Sequence, residues 1–137
     1  MRYERGRDGV PQIVWEKQDE DLYFAVERGD VFADLCYSLM QLKLVHDYIK
    51  KQQTVHVASA RQLKAALLNF DFYYEELKVT HRRSSSLRMP EVTIDSVLEA
   101  FNEKNTNYVM DVAACVRSEQ RKAMARLYNL DSASYIV

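Results

Sequence analysis

The side chains best suited to chemistry in this chain are three histidines, two cysteines, a spaced row of carboxylates and two clusters of arginine and lysine. Metal binding or acid–base catalysis needs such groups in sets. His46, His56 and His81 are scattered, and none has a Cys, His, Asp or Glu beside it at a metal-ligand spacing. His46 and Asp47 are neighbours on an expected helix and so point in different directions. Cys36 and Cys115 have no base near them in sequence. Both sit in apolar helical patterns, where a thiol behaves as a small buried hydrophobe in a reducing compartment, and a disulfide between them stays open. The expectation is no catalytic residue, no metal, no cofactor and no small-molecule substrate.

The charged residues offer binding chemistry instead. Asp95, Glu99 and Glu103 recur every four residues, a like-charge row on one helix face. If the helices on either side of Asn105-Thr106 form an antiparallel hairpin, Asp95 meets the Arg117 neighbourhood and Glu91 meets Arg121. Basic residues cluster twice: Arg82, Arg83 and Arg88 in a serine-rich segment, and Arg117, Arg121, Lys122 and Arg126 on a helix. Together they would make a phosphate-binding surface for nucleic acid. The Arg82-Arg83-Ser84-Ser85-Ser86 run also has the form of a basophilic kinase acceptor. Against a nucleic-acid role, residues 16 to 34 carry seven acids and two bases, and the net charge is −1. Alternating charge blocks suit docking between proteins.

Nine tyrosines and five phenylalanines supply apolar area that also fits protein interfaces. Most fall at core spacing. Phe72 lies on the polar side of its helix and is the residue to expect in an exposed contact. The terminal Tyr135, Ile136 and Val137 fit either strand addition to a partner or packing on their own bundle. Arg28-Gly29-Asp30 spells an adhesion tripeptide, but a helix stop followed by an N-cap explains it.

The elements that must position these groups are legible from glycine. All three glycines precede residue 30, so the remainder lacks the residue that most readily takes positive φ. Phosphate-cradling loops, nucleophile elbows and tight hairpin turns are thereby disfavoured past that point, and helix remains. Apolar spacing predicts a helix over about 31–52 behind the N-cap Asp30. A second opens on a capping box at Ser59–Gln62. Basic residues near its start and acids near its end oppose the helix dipole, which predicts a break near Asn69, with 71–79 helix or strand. Residues 81–90 read as loop, a third helix follows Thr93, and a fourth spans about 108–128.

The first eleven residues read as a flexible arm. Ile13–Trp15 and Leu22–Val26 form either a hairpin or, for Glu20–Arg28, a short helix stopped by Gly29. The fold class is mainly α: about four helices in a small bundle with an N-terminal extended arm and a short hairpin, residues 12–137 making a single helical domain. No apolar run reaches the roughly 18 residues of a membrane span, and no signal peptide is visible. A cytoplasmic or other reducing setting follows, not secretion. The leading function is a non-catalytic interaction or assembly protein forming homo- or hetero-oligomeric contacts, a homo-oligomer first among them, with nucleic-acid binding through the Arg-rich segment and the basic helix face as the alternative.

Overall fold

The computed structural model describes residues 1–52, 55–78, 92–129 and 135–136. It is mainly helical, with five α-helices and a two-stranded antiparallel hairpin near the N-terminus. The order is β1 (Arg2–Arg5), β2 (Pro11–Val14), α1 (Glu20–Glu27), α2 (Val31–Lys50), β3 (Val55–His56), α3 (Val57–Lys78), α4 (Ile94–Asn102), α5 (Thr106–Asn129) and β4 (Tyr135–Ile136). Helix α2 is central and packs on α1, α3, α4, α5 and β1. Its buried Leu35, Cys36, Leu39, Met40, Leu42 and Val45 supply the middle of the core.

The expected arm is not an arm. Arg2–Arg5 pairs with Pro11–Val14, Tyr3 opposite Ile13, and Met1 and Tyr3 are buried. The turn uses Gly9 at φ +81°, with its N–H donating to the Gly6 carbonyl at 3.0 Å. Tyr3 shares a 3.1 Å hydrogen bond with Ser59 and packs edge-on against Tyr48. Arg5 Nε donates to the Tyr48 hydroxyl, and Gln62 Nε2 donates to the Pro11 carbonyl. The hairpin is therefore fastened across α2 and α3. Its strands come from residues 2–14, whereas Leu22–Val26, read as one arm of a hairpin, is the helix α1.

Two helices end by the same device. At α1, the N–H of Gly29 (φ +79°) reaches the Val26 carbonyl and that of Asp30 reaches Ala25. At α4, the N–H of Lys104 (φ 55°) reaches Phe101 and that of Asn105 reaches Ala100. Both are Schellman closures, which satisfy the last carbonyls with a left-handed residue. Asp30 then starts α2, its carboxylate accepting the Ala33 N–H at 3.1 Å. Thr93 and Ser96 exchange side-chain-to-backbone bonds at the start of α4, and Asn105 caps α5 through the Tyr108 N–H.

Helix α3 departs most from expectation. It begins at Val57, so Ser59 is a buried helical residue rather than a cap; His56 Nδ1 instead accepts the Ala58 N–H at 3.1 Å. The helix runs unbroken through Asn69, and residues 71–78 are helical. Of the acids near its end, Glu75 is answered from outside the helix, by Arg117 of α5. At the other end of the chain, β4 pairs in parallel with β3, Val55 opposite Tyr135 and His56 opposite Ile136. Of the two roles open to the tail, packing on its own chain holds for these backbones. Val137 lies outside the described residues.

Candidate functional site

The basic face of α5 is held by α3. Arg117 Nε lies 3.0 Å from Asp71 Oδ1, and its Nη1 donates to Glu75 Oε1 at 3.0 Å. Arg121 Nη2 donates to Asp71 Oδ2 at 2.5 Å. The Arg117 guanidinium also sits 5.1 Å from the centre of the Tyr74 ring, itself buried in the core. Lys122 pairs within its own helix with Glu119 at 3.8 Å. The expected ladder between α4 and α5 is thus corrected in its Asp95 half: Arg117 pairs with Asp71 and Glu75 of α3, and Asp95 makes no ion pair among the described residues. The physical reason is the side from which α3 approaches α5, a long-range choice that hairpin arithmetic between consecutive helices does not contain. Glu91, His81, Arg82, Arg83 and Arg88 lie outside the described residues, and Arg126 is described only as backbone of α5.

The consequence is electrostatic. Three described cations that would face phosphate, Arg117, Arg121 and Lys122, stand against Asp71, Glu75 and Glu119. A surface whose charges already cancel locally gives little counterion release.

The acid row of α4 is where the spacing puts it. Asp95, Glu99 and Glu103 are exposed beside a shallow hollow lined by Gln18, Leu98 and Asn102, and no salt bridge engages them among the described residues. A second hollow, about 630 Å³, opens where α1 and α4 end and α2 and α5 begin. Phe24, Phe32 and Phe101 wall it, with Phe32 stacked on Phe101 at 5.8 Å, and Asp21, Asp30, Arg28 and Lys104 rim it. Its rim carries both signs, and the Asp30 carboxylate is engaged in capping α2.

His56 holds a backbone amide, and among the described residues no group of three or more His, Cys, Asp or Glu lies together as a metal would need. Cys36 and Cys115 are outside any disulfide. Cys36 is buried, and burial, with a smaller push from the Asp30 charge, raises its thiol well above the ordinary range. Such a thiol is a poor nucleophile.

The apolar surface is the feature that remains. Phe72 is 60% exposed and Leu68 59%, the two most exposed large apolar side chains among the described residues. They stand one turn apart on the outer face of α3, with exposed Ala65 one turn before Leu68 and Tyr73 edge-on against the Phe72 ring. Phe72 is where its position in the helix places it. Leu68 was missed by sequence reasoning, although it falls outside the buried stripe of Leu63, Ala66, Leu67, Phe70 and Tyr74 and close to Phe72. Tyr23 and Phe24 form a smaller exposed aromatic pair on α1.

No known protein family, curated protein or solved structure matches the chain. No described helix is long and apolar enough to cross a membrane.

Proposed function

We propose that this chain is a non-catalytic interaction or assembly protein that docks through the outer face of α3. The observation that carries the reading is the adjacency of Leu68 and Phe72, both more than half exposed on a helix whose other described large apolar residues are buried or half-buried. Isolated exposed leucines are ordinary. A leucine and a phenylalanine one turn apart leave a coherent apolar strip in water, and burying each is worth about 1.5–3 kcal/mol. Aromatic anchors of this kind dominate interface energetics.

Nucleic-acid binding ranks behind, because the described cations of its site are ion-paired within the chain. Light scattering after size exclusion, read with the 260/280 nm absorbance ratio and a salt titration, separates the two. Docking predicts a nucleic-acid-free complex of the chain with itself or with another protein, abolished by Phe72→Asp. Nucleic-acid binding predicts affinity that collapses at moderate salt and in Arg121→Glu. A purified monomer without affinity for itself or any macromolecule overturns the docking reading.

A further inference from the structure

The exposed face of α3 has an order as well as a composition. Along the helix it runs Arg61, Ala65, Leu68, Phe72, Glu76, all exposed and at spacings of four and three. A cation stands at one end, an anion at the other, and apolar side chains fill the middle. Neither Arg61 nor Glu76 makes an ion pair among the described residues, in contrast to Asp71 and Glu75 on the flank facing α5. Both are also misplaced for their own helix, because a cation near the N-terminus and an anion near the C-terminus oppose the dipole.

An antiparallel partner of the same sequence resolves these features together. With a two-fold axis between Leu68 and Asn69, Arg61 meets the partner's Glu76, Phe72 lies over the partner's Ala65, and Leu68 packs beside the partner's Leu68. The small alanine leaves room for the ring. Each charge finds its opposite, so the Arg61–Glu76 contact forms twice, and the helix dipoles run opposed. Two-fold interfaces require such a self-complementary patch. A heterologous partner would need its own matching order of charge and bulk. We infer that the α3 face is a homodimer interface, the two copies of α3 crossing antiparallel about Leu68. This inference rests on the docking reading above and names the partner as a second copy of this chain.

The test uses the full chain and two single charge reversals, Arg61→Glu and Glu76→Arg. Sedimentation is followed from about 1 μM to about 500 μM, which brackets the dissociation constants of small interfaces. The wild type is expected to dimerise. Each variant alone is expected to weaken the dimer about tenfold or more, since each creates two like-charge contacts. An equimolar mixture of the two variants restores association, because the acidic face of one then meets the basic face of the other. Misfolding cannot produce that rescue. Independently, Leu68→Cys in a Cys115→Ser background is expected to form a disulfide-linked dimer under mild oxidation. A dimer indifferent to both reversals, a mixture that fails to rescue, or an uncrosslinked Leu68→Cys overturns the inference. If the chain is monomeric but binds another protein in a Phe72-dependent way, the homodimer falls and the docking reading stands. If Phe72→Asp changes no association at all, both fall.

Discussion

The most consequential single groups are ones that no motif marks. The Met1 α-amino group is buried and lies 2.5 Å from Asp19 Oδ2 and 2.7 Å from Glu16 Oε1, with Asp19 itself fully buried. Burial alone would lower the amine's pKa, but the bonds and charges of Asp19 and Glu16 outweigh it and raise the value above 8.0. A raised pKa contributes stability that is complete below the unfolded value and is lost as pH climbs through the folded one. Asp19→Asn leaves a buried ammonium with half its partners and is expected to cost about 3 kcal/mol by urea unfolding near pH 7. The cost should shrink at alkaline pH, once pH has climbed past the raised folded-state pKa and the amine has lost its proton. Tyr3 and Ser59 make a second test: Tyr3→Phe and Ser59→Ala each strand a buried hydroxyl and should cost about 1–2 kcal/mol. The double variant should cost less than the two together. None of this was legible in the sequence, because Tyr3 and Ser59 stand 56 residues apart and an acid in a charged cluster gives no local sign of burial. Phe72 was legible, since an aromatic residue out of phase with its own helix is a local fact.

At the level of elements, boundaries carrying their own capping chemistry were readable and those set by neighbours were not. Asp30, Thr93 and Gly29 mark helix ends by short-range hydrogen bonding, and the structure uses all three. Asp30→Ala should therefore lower stability by about 1 kcal/mol. Lys104 shows where the glycine argument overreached: a helix terminus needs only one left-handed residue, and a lysine adopts it here at φ 55°. Lys104→Gly is expected to raise stability by about 0.5–1 kcal/mol, a rise in the thermal midpoint that a surface lysine elsewhere would not give. Conversely, α3 passes through Asn69 without a break, and Arg117 and Arg121 of α5 offset part of its misplaced charge through Asp71 and Glu75. Dipole bookkeeping within one helix omits charges supplied by another.

Considered whole, the molecule is organised around α2, against which the hairpin and every other helix pack. The mainly helical class followed from glycine scarcity and three-four apolar spacing. The partnering of α5 with α3, and of β4 with β3, required three dimensions, because each joins segments far apart in the chain. Leu39, buried midway along α2, is a direct probe of this centre: Leu39→Ala should cost about 3 kcal/mol in urea unfolding. Trp15 stacks on Tyr37 of α2 at 5.0 Å and meets Tyr23 of α1 edge-on at 5.2 Å, so its fluorescence reports docking of the N-terminal part. With α2 common to all contacts, Trp15 fluorescence and far-UV circular dichroism should trace one coincident transition. Separate midpoints would show that the N-terminal elements melt on their own.

The sealed thiol of Cys36 makes the protein its own stability gauge. A thiolate-directed reagent can reach that sulfur only during excursions that lift α2 out of its surroundings. When reclosure outruns alkylation, the labelling rate measures how often such openings are populated, without denaturant or heat. In a Cys115→Ser background, the mass increment at one sulfur would then rank the stability variants above inside a crude mixture, before any of them is purified.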